Sequence, residues 1–221
     1  MNKKTVLLTG ASRGIGQAIC NELSNNTNYT IITPTRADMN LEDISSVEKY
    51  ISSLQNIDII INNAGIISSS KVENIADKDL LSMLSVNLAA PLRIIGKFVP
   101  YMKKQRYGKI INFSSILGVV SKENMALYSM SKFGINGITK SLAHELGEFN
   151  ILVNSVCPGY INTEMTQKNV SEIKAAKMKS EIPLKRFAEP AEIAKLVKFL
   201  VSDDNTYITG QTIIIDGGLL A

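Results

Sequence analysis

The feature that most constrains the fold is an alternation of short β-branched runs with stretches of helical periodicity. The six apolar runs span residues 6–9, 29–33, 57–61, 109–113, 152–156 and 212–215. Between most of them, apolar residues recur at helical spacing. Short buried strands that alternate with amphipathic helices are typical of a parallel sheet with both faces covered. We therefore predict an α/β fold with a doubly wound parallel sheet, as one domain over residues 1–221.

Three apolar stripes predict the helices. They are Ile15, Ile19 and Leu23; Leu80, Leu84, Leu88 and Leu92; and Ile193, Val197, Leu200 and Val201. The segment 162–183 is instead polar and rich in lysine, and it follows the turn at Pro158 and Gly159. Such a segment indicates a mobile loop or short helices over a site.

The net charge and the basic residues bear on whether the protein binds nucleic acid. The chain has 24 Lys and Arg against 20 Asp and Glu, a net charge of +4 without a nucleic-acid motif, so we expect no nucleic-acid partner. Its densest basic cluster is Lys103, Lys104, Arg106 and Lys109, which as residues alone indicates a solvated helix end.

The cysteines and the hydropathy pattern indicate the cellular compartment in which the protein would be found. Cys20 and Cys157 lack the spacing of a metal site or a disulfide framework, which favours a reducing compartment and no metal. The apolar run at the N-terminus is interrupted by Gly10, too early for a signal peptide. No apolar run approaches the ~20 residues of a membrane span. We expect a cytoplasmic protein with no membrane partner.

A glycine-rich turn follows the first predicted strand directly. Residues 9–16, here called the glycine cradle, have glycines at positions 10, 14 and 16 and lead into the first helical stripe. Glycines at such a turn let the backbone approach a pyrophosphate, and the helix N-terminus offers N–H groups to its charge. A glycine pattern alone could be a tight turn. Its place in an alternating α/β chain favours dinucleotide binding.

The residues beyond the second strand bear on the choice of dinucleotide. A carboxylate about twenty residues past the glycines favours NAD, and a basic residue there favours NADP. Arg36 occupies that position and Arg13 lies in the cradle, whereas Asp38 could supply the rival carboxylate. The two arginines favour NADP(H), with NAD(H) as the alternative.

A tyrosine and a lysine lie four residues apart on one predicted helix. This spacing puts Tyr128 and Lys132 on one face, where the ammonium could stabilise a phenolate. Ser115 ends the predicted strand 109–113 at the edge where ligands bind parallel sheets, and it could hold a substrate oxygen. The pair alone could be an exposed tyrosine over a lysine. Ser115 lacks the glycine-flanked elbow of a hydrolase nucleophile, and His144 is interpreted as a surface or packing residue.

Taken together, these motifs resemble the short-chain dehydrogenase/reductase family over essentially the whole chain. The matching residues are Thr9 to Gly16, Asn62 to Gly65, Asn87, Ser115, Tyr128 to Lys132, Pro158, Gly159, Thr163, Tyr207 to Gln211 and Asp216 to Gly218. The resemblance implies a Rossmann-type sheet and an enzyme that transfers hydride between a nicotinamide cofactor and a carbon bearing oxygen.

The resemblance also implies roles for single residues. Tyr128 would be the proton donor, Lys132 would lower its pKa and hold the nicotinamide ribose, Ser115 would orient the carbonyl, and Asn87 would support a proton relay through water. The implied cofactor-binding residues are Gly10, Ser12, Arg13, Gly14, Ile15, Gly16, Arg36, Asn40, Leu41, Asn63, Ala64, Gly65, Tyr128, Lys132, Pro158, Gly159, Ile161 and Thr163.

Within the family, the chain is most similar to the β-ketoacyl (3-oxoacyl) carrier-protein reductases of fatty acid biosynthesis. The likeness lies in residues 112–118, 153–159 and 182–187. It implies NADPH-dependent reduction of a 3-oxoacyl thioester to a secondary alcohol, and a homodimer or homotetramer. An acidic carrier protein would suit the basic cluster near Arg106.

One segment departs from the family pattern. The family's usual helix and third strand are compressed into residues 33–43, followed by one helical stretch at 44–54. Asn40 and Leu41 would replace the acidic-apolar pair beside adenine. A sugar, nucleotide-sugar or secondary-metabolite ketone therefore stays open as the substrate, as does a non-catalytic module that senses the cofactor. The expected result is intact catalysis with a reduced adenine pocket.

Overall fold

A six-stranded sheet organises the part of the chain that the computed structural model describes, which is residues 3–164, 166 and 171–221. The strands are β1 (Lys4–Leu8), β2 (Tyr29–Ile32), β3 (Ile59–Asn62), β4 (Gly108–Phe113), β5 (Ile151–Pro158) and β6 (Thr212–Ile215). Their order is β2-β1-β3-β4-β5-β6, and every neighbouring pair is parallel. The predicted doubly wound parallel sheet is confirmed.

The connections between the strands are helical. The α-helices are α1 (Gly14–Ser24), α2 (Ile44–Ser52), α3 (Asp77–Leu84), α4 (Ala90–Gln105), α5 (Ala126–Leu146), α6 (Glu172–Glu181) and α7 (Pro190–Val201). A π-helical turn, Ser85–Ala89, joins α3 to α4, and short 3₁₀ turns lie at Val72–Asn74, Ile116–Gly118 and Gly147–Phe149. Only α2 lies between β2 and β3, so the segment is shortened as the sequence predicts.

Alternate strand residues divide the core into two layers. Leu7, Ile60 and Ile110 pack with α2, α4 and α5 on one face. Residues such as Val6 and Ile61 pack with α1 and α7 on the other. Because side chains alternate along a strand, the β-branched runs supply both layers at once. The sheet order reverses between β1 and β3, which opens a crevice at the carboxyl ends of these strands.

The leucine stripe predicted at residues 80–92 is not a core stripe. Leu80, Leu84 and Leu88 are half-buried, and Leu92 is 46% exposed. For Leu92, the reason is the π-helical turn Ser85–Ala89, whose extra residue changes the helical phase between Leu84 and Leu92. A stripe that assumes uninterrupted α-helical spacing therefore leaves the buried face.

The basic cluster does not form one surface. Lys109 is buried at the start of β4, where its ammonium donates a hydrogen bond to the backbone oxygen of Asn205. Lys103 lies 3.6 Å from Glu145, and the Arg106 guanidinium donates to the Glu148 carbonyl at 2.7 Å. The predicted cluster is therefore wrong for Lys109. The remaining cations lie at the amino edge of the sheet, opposite the carboxyl ends.

The structure also shows how two further segments fold, the helical run Asp77–Gln105 and the segment 162–183. The helical run Asp77–Gln105 is long and apolar enough, by length and composition alone, to cross a membrane. A core helix passes the same test, and here Ile94, Phe98 and Met102 pack against the sheet. Within the segment 162–183, α6 is a helix without a buried residue, and residues 165 and 167–170 lie outside the described part.

Candidate active site

The glycine cradle is a tight turn whose backbone conformation favours glycine at two positions. Gly10 and Gly14 have φ of +69° and +57°, in the left-handed region that disfavours other residues. At Gly16, an added Cβ would lie 2.0 Å from the Gly10 carbonyl oxygen, so a side chain cannot fit. The cradle is therefore shaped for close approach of a ligand to the backbone, at the amino end of α1.

Asn63 braces this cradle from the neighbouring strand. Its amide donates hydrogen bonds to the carbonyls of Thr9, at 3.0 Å, and Gly10, at 2.9 Å. In return the Thr9 hydroxyl accepts from the backbone N–H groups of Asn63 and Ala64, both at 3.1 Å. The side chain of Asn63 is used inside the protein, which gives it a positioning role in the predicted binding segment.

Two adjoining cavities lie along the carboxyl edge of the sheet. The larger, of about 450 Å³, runs from the cradle to Tyr128, and the smaller, of about 360 Å³, runs from the cradle to the segment 33–42. Both are bounded by Gly10, Ser12 and residues 64–66. Together they form an elongated site with the glycine cradle at its middle, an arrangement that suits a dinucleotide.

The predicted residues come together around these cavities. The larger cavity is lined by Gly10, Ser12, Arg13, Gly14, Ile15, Gly16, Asn63, Ala64, Gly65, Ser115, Tyr128, Lys132, Pro158, Gly159, Ile161 and Thr163. The smaller is lined by Arg36, Asn40 and Leu41. Of the predicted site residues, only Asn87 lines neither cavity.

Ser115, Tyr128 and Lys132 converge at the inner end of the larger cavity. Ser115 follows β4, and Tyr128 and Lys132 lie one turn apart on α5. The Lys132 ammonium donates to the Phe113 carbonyl at 2.8 Å and lies 5.6 Å from the centre of the Tyr128 ring. The Ser115 hydroxyl accepts from the Leu117 N–H at 3.1 Å. Two hydroxyls and one cation thus face one space.

Burial shifts the pKa values of Lys132 and Tyr128 in opposite directions. Burial lowers the pKa of Lys132 to about 8, with a smaller opposite effect from Cys157. Burial also raises the pKa of Tyr128, although its hydrogen bond with Ser115 acts in the opposite direction. The expected lowering of the tyrosine pKa by Lys132 is therefore not seen in the chain alone. Its phenol is protonated at neutral pH and can donate.

The Asn87 side chain links three segments of the chain through hydrogen bonds, and we call this set of bonds the Asn87 clamp. Its amide nitrogen donates to the Ile66 carbonyl at 3.0 Å and to the Ser131 hydroxyl at 2.9 Å. Its amide oxygen accepts from the Ile66 N–H at 3.0 Å. These bonds tie the π-helical turn to the segment after β3 and to α5. A Cβ added at Gly65 would lie 3.3 Å from the Asn87 oxygen and 3.5 Å from the Lys132 nitrogen.

The carboxylate in the smaller cavity is Glu42, and not Asp38 as the sequence suggested. Asp38 accepts from the backbone N–H and hydroxyl of Thr35, at 2.8 and 2.7 Å, and does not line the smaller cavity. Glu42, which sequence reasoning missed, does line it and pairs with Arg36 at 2.9 Å. No sequence signal distinguishes the two carboxylates, because the turns of the compressed segment decide which one faces the cavity.

Other lining residues were also missed. They are Ile66, Ile67, Phe113, Ser114, Tyr160, Glu164 and Thr166 in the larger cavity. Most of these residues are neighbours in sequence of predicted site residues. Their position just after the carboxyl end of a strand is the sequence signal that could have identified them. Leu117 and Met125 do not line this cavity, and Met165 lies outside the described residues. No group of potential metal ligands occurs among the described residues.

Comparison with known proteins agrees with this geometry. A family model described as enoyl-(acyl carrier protein) reductase matches residues 40–220. The 3-oxoacyl-(acyl-carrier-protein) reductase FabG of Thermotoga maritima is 36% identical, with 98% of each chain covered. FabG of Aquifex aeolicus is 38% identical, with 98% of this chain and 97% of that protein covered.

Solved structures show the same likeness. One, described as an NAD(P)-dependent gluconate 5-dehydrogenase from Beutenbergia cavernae with NADP bound at low occupancy, superposes with a TM-score of 0.92 and 27% identity, covering 100% of this chain and 98% of that one. A 4-hydroxyisoleucine dehydrogenase complexed with NADH superposes with a TM-score of 0.90 and 27% identity, covering 98% of both chains.

The fold and these matches define an NAD(P)-dependent oxidoreductase with a Rossmann-type sheet. The chain belongs to the short-chain dehydrogenase/reductase family. The predictions of the family and of an enzyme are thereby confirmed.

Proposed function

We propose that this enzyme reduces a 3-oxoacyl thioester, carried on an acyl carrier protein, to the 3-hydroxyacyl product with NADPH. The observation that carries the proposal is the convergence of Ser115, Tyr128 and Lys132 in a cavity that is also lined by the glycine cradle. The relatives named above as 3-oxoacyl-(acyl-carrier-protein) reductases support the choice of substrate.

The residues divide the chemistry of reduction between them. A nicotinamide cofactor bound in the larger cavity would supply the hydride for the carbonyl carbon of the substrate. Ser115 and Tyr128 hold the carbonyl oxygen, and the protonated Tyr128 donates a proton to that oxygen as negative charge develops on it. A phenol with the ordinary pKa near 10 is protonated at neutral pH, and burial raises the pKa of Tyr128 further, so Tyr128 can act as the proton donor.

Lys132 replenishes and stabilises this proton donor. Its ammonium lies near the Tyr128 ring, so it favours the phenolate that remains after proton donation. A pKa of about 8 lets it release and regain a proton near neutral pH. Asn87 holds the adjoining backbone, and its place beside Gly65 and Lys132 is compatible with the proposed relay through water.

The cofactor-binding residues are proposed from the two cavities. The cradle would bind the pyrophosphate, Lys132 the nicotinamide ribose, and the segment 158–163 the nicotinamide. Arg13 and Arg36 line the larger and the smaller cavity, respectively, and supply the positive charge that a 2′-phosphate needs. We therefore propose NADPH as the preferred cofactor and NADH as a weaker one.

Pairing of two chains would bring Arg106 close to the site. Leu92, Met130 and Phe133 are 46%, 44% and 47% exposed on α4 and α5, and we propose that they form a subunit interface. If a two-fold axis pairs α5 with its copy, the carboxyl end of one helix, beside Arg106, lies near the Tyr128 end of the other. The proposed homodimer or homotetramer then offers Arg106 to an acidic carrier protein.

The first test of the function is oxidation of NADPH with acetoacetyl groups on carrier protein and on a small thioester. Tyr128→Phe should abolish turnover of both, because it removes the proton donor. Arg106→Glu should raise the KM for the carrier-bound substrate alone, and Lys195→Glu on α7 is the matched charge reversal. An unchanged KM in Arg106→Glu would refute the proposed docking site.

A sugar or secondary-metabolite ketone is the second candidate substrate. It is favoured by the compressed segment 33–43 and by the similarity to a structure described as a gluconate 5-dehydrogenase. Turnover of such ketones without turnover of acetoacetyl thioesters would support it. NADPH binding without turnover across a ketone panel would instead support a cofactor-sensing module.

A cytoplasmic location stays a proposal from the free cysteines.

A further inference from the structure

One carboxylate in the smaller cavity holds the arginine that the extra phosphate of NADP would need. The Glu42 carboxylate pairs with the Arg36 guanidinium at 2.9 Å, and its other oxygen accepts from the Ser82 hydroxyl at 3.1 Å. Arg36 and Glu42 both line the cavity, whereas Ser82, on α3, anchors the carboxylate from the far side. The arginine is therefore held by a carboxylate that is itself fixed.

We propose that Glu42 sets the cofactor selectivity of this enzyme by acting as the counterion of Arg36. This inference depends on the proposed NADP-binding function of the site. With Glu42 in place, the pair carries no net charge, and a 2′-phosphate must compete with a carboxylate for the guanidinium. The cost falls on NADP alone, because NAD has no phosphate at that position. Glu42 thereby narrows the difference in affinity between the two cofactors.

The compressed segment explains why this carboxylate, and not Asp38, has that role. Asp38 is committed to the backbone and hydroxyl of Thr35, and it lies outside the cavity wall. Glu42 follows a turn in which its own N–H donates to the Asn40 side chain at 3.2 Å. The turn directs the Glu42 side chain toward both Arg36 and Ser82.

The magnitude follows from the exposure of the pair. The side chains of Arg36 and Glu42 are 75% and 39% exposed, so water and salt weaken their attraction. Removing the Glu42 charge should therefore strengthen binding of a 2′-phosphate by a modest factor, roughly threefold to fivefold. The gain should shrink as ionic strength rises, because it is electrostatic.

Calorimetry with two adenosine fragments tests the inference without turnover. Adenosine 2′,5′-bisphosphate and adenosine 5′-monophosphate differ only in the 2′-phosphate. Glu42→Gln should bind the bisphosphate roughly threefold to fivefold more tightly than the natural chain, with the monophosphate changed by less than about twofold. Glu48→Gln is the matched control, because Glu48 lies 4.0 Å from Arg93 on the surface and outside the cavity. It should change neither affinity.

A double variant separates the counterion role from direct repulsion of the phosphate. If Glu42 acts through Arg36, Glu42→Gln should have no effect in an Arg36→Gln background. An effect that persists without Arg36 would overturn the inference, as would unchanged bisphosphate affinity in the single variant. If the natural chain binds neither fragment nor NADPH, the proposed function itself fails. If it binds them and Glu42→Gln changes nothing, only this inference fails.

Discussion

Lys132 should lower the stability of the fold that it serves, so its replacement by methionine should stabilise the protein without cofactor. Its ammonium is buried, and its described hydrogen bond is to the Phe113 carbonyl. No carboxylate forms an ion pair with it among residues 3–164, 166 and 171–221. Burying a cation without a counterion has a cost in free energy, which appears as its lowered pKa.

The magnitude follows from the shift in pKa. A fall from the usual 10.5 to about 8 corresponds to roughly 3 kcal/mol of destabilisation when the lysine is charged. Lys132→Met removes this cost and loses one hydrogen bond, worth about 1 kcal/mol. We therefore expect the variant to be more stable by about 2 kcal/mol at pH 7. Turnover should fall by about 10²-fold or more, because the proton donor loses its partner.

The pH dependence tests the cause. Between pH 8 and 10.5 the unfolded chain holds the lysine proton that the folded chain has lost, so the stability of the natural protein rises with pH. Below pH 8 both states are protonated and the full cost is present. The advantage of Lys132→Met should therefore shrink from pH 7 to pH 10. Burial, the largest cause of the raised pKa values of Tyr128 and Cys157, acts in both proteins.

Urea unfolding at pH 7 and pH 10, followed by circular dichroism, measures both differences. Lys109→Met is the matched control for turnover, since Lys109 is a second buried lysine that lies away from the cavities. It should retain activity. If Lys132→Met were less stable at both pH values, by an amount independent of pH, the reasoning from burial would be refuted.

Three further substitutions test the architecture of the site. Gly16→Ala should abolish nucleotide binding, measured by calorimetry, because its Cβ would lie 2.0 Å from the Gly10 oxygen; tight binding would contradict the cradle. Asn87→Ala should destabilise the fold by about 2–3 kcal/mol and lower kcat, because it leaves the Ile66 backbone groups unpaired. An unchanged urea midpoint would exclude the clamp. Thr139→Val should cost about 1–3 kcal/mol, since it removes the buried acceptor of an asparagine on β4, and normal KM values are expected.

Much of the fold, and the pairing of Tyr128 with Lys132, follows from residue periodicity. The six strands were predicted because buried parallel strands are continuous β-branched runs, and their bounds in the structure differ by at most two residues. The place of Ser115 was predicted because the carboxyl ends of parallel strands share one edge, whereas residues such as Asn87 and Ile161 were implied by the family resemblance. Tyr128 and Lys132 then face it together, one helical turn apart.

The remaining features depend on contacts between distant segments. The partner of Lys109 is the backbone of Asn205, 96 residues away, so nothing in the local sequence marks this lysine as buried. The π-helical turn after Leu84 changes the phase of the leucine stripe, and local spacing does not reveal it. The pairing of Arg36 with Glu42 depends on turns whose geometry propensity alone does not specify.

Transfer of deuterium from the nicotinamide to the substrate tests the central claim most directly. The natural enzyme is incubated with NADPH that carries deuterium at the transferable position of its ring and with acetoacetyl groups on carrier protein. We expect a 3-hydroxybutyryl product with one deuterium on the carbinol carbon, and no product with Tyr128→Phe. A product without deuterium, or equal product from Tyr128→Phe, would contradict it.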